Sequence, residues 1–291
     1  DMLVTAVDVA RIFPGISQAR DAQGLGSHTP GGFPELVVEH GHRYDFFNAP
    51  DPISNRSITE TASLLSPGFF VAKIAATSDR ERRVSSFYRD GLNTGRTDLL
   101  TATYFSYWLA WQLIMSQKPV TESWDQKMIA TAADGYTGVY AIRDLIPHHD
   151  GDGGPLAVTL FKGIVDTWQQ RQALNRVAVP IPAEVAIAAG ALNPILDGQS
   201  ITQYFWNTSS DKRIVVFGHT HQADLFTVLN HEGKWSIYAN SGTWVDQSPR
   251  SCTFVALLPK QDGAATTDTV TVYQYRDDDT IKKLKSAAIR N

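Results

Sequence analysis

"IVVFGHTHQADL", residues 214–225, joins four apolar residues to a glycine and two histidines. Ile214 to Phe217 suit a buried strand, because β-branched and aromatic side chains pack well on a pleated surface. Gly218 reaches dihedrals closed to other residues, so the strand can break into a loop there. His219 and His221 then stand two apart, and in extended chain positions i and i+2 share a face. Neutral imidazole is the commonest side-chain metal ligand and suits zinc, iron, manganese and nickel. A His-Thr-His pair alone reads equally as two polar surface histidines or satisfied core histidines, so a metal site needs further ligands elsewhere.

"ELVVEHGHRYD", residues 35–45, repeats the design. Leu36, Val37 and Val38 form a short apolar run, His40-Gly41-His42 follows, and the carboxylate of Asp45 is close by. Strand ends gathered on one edge of a sheet are where open α/β folds collect their chemistry. Gly-His-Thr-His at 218–221 resembles the last motif of the calcineurin-like metallophosphoesterases, and His-Gly-His at 40–42 resembles their penultimate one. These proteins often continue through a strand into an Asn-x-Gly-Ser-like turn, and "WSIYANSGTWVD" places Asn240-Ser241-Gly242-Thr243 there. The three matches come in the family's order but cover only residues 36–42 and about 213–258.

Three earlier motifs of that family are missing: Asp-x-His, Gly-Asp-x-x-Asp, and Gly-Asn-His-Asp or Glu. They supply most of the carboxylate ligands. The resemblance therefore implies the C-terminal part of a longer protein, whose first half lies upstream of Asp1 or on a separate chain. Asp1 itself is a candidate for the last residue of the missing Gly-Asn-His-Asp motif.

Composition narrows the classes. The 291 residues allow one large domain or two ordinary ones, and 43% hydrophobic with 19% charged residues fits a globular protein. A net charge of -4 argues against a binder of double-stranded nucleic acid that works by neutralising phosphates. The single cysteine, Cys252, excludes an intrachain disulfide and a Cys-rich zinc site. It fits a reducing compartment, so a cytoplasmic location is expected. The most apolar run, residues 101–115, is too short to span a bilayer, and aromatics all round it suggest a buried helix.

Residues 1–35 read as a helix and the loop "GLGSHTPGGFP", which precedes a strand and so is no phosphate cradle; His28 in it reads as solvated. Residues 43–212 form a long insertion that begins with a surface-wrapping segment, 48–67. Helices are expected over about 97–117, from Ser123 to Gly135 with a Ser123/Gln126 capping box, over 155–174, and after Pro182 with Gly190 just past the end. "PHHDGDGG", 147–154, reads as a solvated loop. From Lys212 onward strands are expected at 213–217, 224–229, 235–240, 252–258 and 269–275, with "NHEG", 230–233, as a hairpin turn containing His231. The last fifteen residues read as a solvated tail or short helix.

The resemblance implies an α/β (α+β) fold: the family's four-layer αββα sandwich, here its second-sheet half. The core would be residues 1–42 and 213–291, with 43–212 as a mostly helical cap over the metal-bearing edge. It also implies a hydrolase of a phosphomonoester or phosphodiester using two divalent ions (manganese, iron, zinc or nickel). His40 and His219 would hold one ion and His221 the other, and His42 would act catalytically by contacting substrate or supporting the site. Arg43 is a candidate phosphate contact, although a surface arginine is the preferred reading, while Asn240 would shape the loop after the last motif. The bulky aromatics of the insertion and the acidic balance suggest a small or partly apolar phosphoester. The rival reading is an inactive binding module that keeps the fold without its acidic ligands.

Overall fold

A computed structural model describes residues 27–56, 58–59, 63–77, 102–116, 125, 127–149, 156–244, 251–258 and 268–289. The described residues of Asp1–His42 and Asn193–Asn291 form one compact unit, and those of Arg43–Leu192 form a second. The chain is of the mixed α+β class. Three expectations fall on residues outside the described ones: the N-terminal helix, Asp1 as the last residue of a missing motif, and the Ser123/Gln126 capping box.

The first unit is built on two sheets. Chain order gives β1 Leu36–Val38, then in the second unit β2 Lys127–Ala133, β3 Tyr136–Ala141, β4 His148–His149 and β5 Leu156–Ala157, and β6 Ile214–Phe217, β7 Asp224–Leu229, β8 Trp235–Asn240, β9 Thr253–Leu258, β10 Thr269–Tyr275 and β11 Ile281–Ala288. Four of them order as β1-β6-β8-β7, and three as β11-β10-β9. The pairs β1–β6 and β6–β8 are parallel, in the registers Val38↔Val216 and Phe217↔Asn240. Every residue of β6 is buried, as expected of a central parallel strand covered on both faces.

Alternation sorts the side chains. Leu36, Ile214, Val216, Leu225, Ile237 and Ala239 share one core with Val270 and Val272 of the second sheet and with Ile289. On the opposite face the Tyr238 ring packs against Phe217 at 5.4 Å and Phe226 at 4.7 Å. The β7–β8 turn is the expected one: Asn230 Oδ1 accepts from the amides of Glu232 (3.0 Å) and Lys234 (2.9 Å), and Gly233 takes φ 74°. The final stretch is a strand, not a tail or helix. β11 pairs antiparallel along β10, with a register shift at Val272/Tyr273. His28 also joins the first sheet, exchanging two 2.8 Å backbone hydrogen bonds with Val38.

Residues 193–212, placed in the insertion on sequence, group with this unit. They include a short helix, Asn193–Asp197, and a π-helical turn, Ile201–Phe205. His231 ties the β7–β8 turn to that segment through Phe205 O, from its amide at 2.7 Å and its Nδ1 at 3.2 Å.

In the second unit, the helix expected from Ser123 to Gly135 is instead a hairpin, β2 Lys127–Ala133 and β3 Tyr136–Ala141. Asp134 and Gly135 both take positive φ (49° and 88°), the conformation a tight two-residue hairpin loop requires. His148–His149 is β4, paired with β5 Leu156–Ala157, rather than part of a solvated loop. Of the helix expected over 155–174 only Trp168–Leu174 forms. Gly163 at φ 74° interrupts it, although Leu160, Phe161, Ile164 and Trp168 are buried as a helical face would have them.

Gly190 lies inside the helix Ala183–Ala191, not past its end. A Cβ there would come within 2.6 Å of Asp45 Oδ1 and 2.7 Å of the Phe47 ring, so close packing selects the glycine. The described residues of the segment 48–67 are mostly buried rather than wrapped over the surface, with Ala49, Asp51 and Asn55 wholly so. Its polar groups are met internally, since Asp51 Oδ1 accepts from Ile53 N and Ser54 N, and Arg171 lies 3.6 Å from Asp51 Oδ2. The helix Ala102–Ser116 buries Tyr104, Tyr107, Trp108 and Trp111 but leaves Phe105, Leu109 and Leu113 exposed, so one face alone is in the core. Tyr107, Trp111, Phe46, Phe47 and Trp168 form a continuous aromatic cluster. Each such ring, once buried, contributes about 1.5–3 kcal/mol. No described helix is long and apolar enough to cross a membrane.

Candidate metal centre

The parallel pair β1–β6 ends in two loops side by side. Glu39 N donates to Val216 O (3.0 Å), and His40 O then accepts from Gly218 N (3.3 Å) and His219 N (2.9 Å). The backbone therefore pins Gly-His-Thr-His to His-Gly-His. Gly41 makes this approach possible: it takes φ 93°, and a Cβ there would lie 3.2 Å from two atoms of the Phe217 ring.

Three imidazoles converge. Ring centroids are 4.8 Å apart for His40–His219, 5.0 Å for His40–His42 and 6.4 Å for His42–His219. His221 turns back at φ 59°, its amide donating to Gly218 O (3.3 Å), and it stands close enough to add to the electrostatic effect on His40. Burial first, then His219 and His221, hold the His40 imidazole down at about 4 from an ordinary 6.5. More than a third of the His40 surface is nevertheless solvent-accessible. The two facts are compatible, because groups crowding one side of a ring strip water from its nitrogens while the other side stays wet. At neutral pH His40 is uncharged and offers a lone pair.

Beneath the loops lies a polar network that the sequence did not announce. Asp197 Oδ1 accepts from Tyr238 Oη (2.6 Å) and Thr220 Oγ1 (3.2 Å), and Asn240 Nδ2 lies 3.2 Å away. Asn240 Nδ2 also donates to Thr220 Oγ1 (2.8 Å), while its Oδ1 accepts from Gly242 N (2.9 Å). Asn240 thus ties both turns together, as its position after the last motif suggested. Burial raises the Asp197 carboxyl above its usual range against the pull of its three hydrogen-bonding partners, and burial likewise raises the Tyr238 phenol. The nearest sequence signal was Asp197-Gly198, an ordinary turn pair.

Other candidates are committed elsewhere. Arg43 is 8% exposed, not a surface arginine, and its Nη1 donates to the carbonyls of Arg176 (3.3 Å) and Asn175 (3.5 Å). Asp45 is buried and caps its own turn, accepting from Phe47 N (2.8 Å) and Asn48 Nδ2 (2.5 Å). His148 spends its nitrogens on Ile146 O (3.0 Å) and Thr159 Oγ1 (3.3 Å).

The imidazoles match the nitrogen positions of a metal centre in donor type. Among the described residues its carboxylate positions have no counterpart, and no group of three or more His, Cys, Asp or Glu is arranged to hold an ion. No family model, no curated protein and no solved structure matches the chain.

Proposed function

We propose that this chain carries the histidine share of a two-metal phosphoesterase acting on a small phosphomonoester or phosphodiester. The carboxylate ligands would come from residues outside this sequence, upstream or on a separate chain. The observation that carries the reading is the convergence of His40, His42 and His219 at the ends of neighbouring parallel strands.

When bound, a pair of divalent ions supplies a water of lowered pKa and stabilises charge on the phosphoryl oxygens. His40, uncharged at neutral pH, would ligate together with His219, and His221 would serve the other ion. His42, 5.0 Å from His40 ring to ring, is placed to orient substrate or to hold a proton beside the ligands. Arg43 is occupied by backbone carbonyls, so a phosphate contact would require it to leave them.

A second reading has one observation in its favour, the lack of a complete ligand group among the described residues. On that reading the chain is an inactive binding module. Assay of the complete protein with manganese and an aryl phosphodiester separates the two. Turnover that chelation abolishes supports the hydrolase, and no turnover with metal present sinks it.

A further inference from the structure

We infer that Asp197 is a positioning residue: through Thr220 it fixes where His219 and His221 stand relative to His40. The inference rests on the reading of the histidine loops as a metal-binding site, but its geometry is independent of any bound ion.

Thr220 is the only residue between the two histidines, and it is 8% exposed. Its hydroxyl hydrogen goes down to Asp197 Oδ1 (3.2 Å), while its oxygen receives Asn240 Nδ2 (2.8 Å). A side chain held from below on both lone pair and proton fixes the backbone on either side of it. His221 must take φ 59° to follow, a conformation that a residue other than glycine adopts at a cost unless its surroundings hold it. Asp197 cannot rotate away, because the Tyr238 hydroxyl holds the same oxygen at 2.6 Å from a fully buried ring.

The same segment reaches the other histidine loop. Seven residues on from Asp197, Tyr204 in the π-helical turn donates to Glu39 Oε1 (3.0 Å), next to His40. Residues 197–204 therefore brace both loops, one through a carboxylate and one through a phenol. Asp197 is the stronger brace, since three side chains converge on one of its oxygens.

The test reads the His40–His219 ring contact by NMR in the full 291-residue chain without metal, from the nuclear Overhauser effect between the two imidazoles. Thr220→Val and Asp197→Ala should lose that signal while cross-strand contacts of β7–β8 persist. Thr220→Ser and Asp197→Asn, which keep a hydroxyl donor and an acceptor oxygen, should retain it. Persistence of the ring contact in either Thr220→Val or Asp197→Ala would overturn the assignment. So would its loss together with the β7–β8 contacts in Thr220→Val, since that marks a general stability role. Because no metal or turnover enters the readout, failure of the phosphoesterase reading leaves this result standing, and the reverse also holds.

Discussion

His40-Gly41-His42 with His219 and the pair His148-His149 are equally rich in imidazole, yet the fold uses them differently. The first group sits where two adjacent parallel strands stop, so the chain beyond each strand must turn beside its neighbour. Backbone bonds from His40 O to Gly218 N and His219 N draw the two loops together there. His148 lies inside a two-residue strand, and its ring nitrogens are taken by Ile146 O and Thr159 Oγ1. In the first group the backbone brings the rings together, whereas the ring of His148 is itself a structural link.

The largest test of that contrast is substitution. In the complete protein His219→Ala should lower phosphoester turnover by more than about 100-fold and reduce bound metal, since changes even to groups behind metal ligands cost 10–100-fold. His148→Ala should leave turnover within about twofold. Equal losses in the two variants, measured by initial rates and elemental analysis, would erase the distinction. Next in size is Gly41→Ala, which adds a Cβ against the Phe217 ring at a positive φ. It should destabilise the chain by about 1–3 kcal/mol in urea titration, and a change below about 0.5 kcal/mol would mean the loops do not need that close approach.

A smaller effect is expected with pH. In the folded chain His40 stays uncharged down to about 4, whereas unfolded it takes its proton near 6.5. The unfolded state binds more protons between those values, so this contribution to stability is complete above 6.5 and declines as pH falls toward 4. His40→Gln should flatten the fall in urea midpoint between pH 7 and pH 5, and an unchanged slope would show that His40 is not held neutral. The smallest effect concerns salt. If the histidine loops receive a small phosphoester, turnover should change by less than about twofold between 50 and 200 mM salt. A loss of about 1,000-fold in binding over that range would indicate several phosphate contacts and hence a polynucleotide.

The strands that carry the histidines were legible because their burial is written as continuous apolar runs, with glycine or Asn-x-x-Gly marking the ends. The β2–β3 hairpin was not, since the Ser123/Gln126 spacing reads as a helix cap and Gly135 as a helix end rather than as half of the Asp134-Gly135 turn. Tertiary contacts decide it: the Tyr136 ring packs against Phe70 and Phe161, residues far away in sequence. Gly190 looked like a helix end because only the neighbouring Asp45 and Phe47 explain a glycine there. Asp197 was invisible for a related reason. Its partners Thr220, Tyr238 and Asn240 come from three later segments, and no spacing rule links them. The histidine ligands proposed here rest on motifs, whereas their bracing could be seen only in three dimensions.

The pairing of Leu36 with Ile214 has a kinetic consequence. It closes a loop that contains the whole of Arg43–Leu192, so it carries a large entropic cost before any contact rewards it. The β7–β8 hairpin, closed by a four-residue turn, can form within microseconds and offer β6 a parallel neighbour. His40 meets His219 only once β1 has paired with β6, so a chain that has not closed that loop presents no assembled histidine cluster to capture a stray ion.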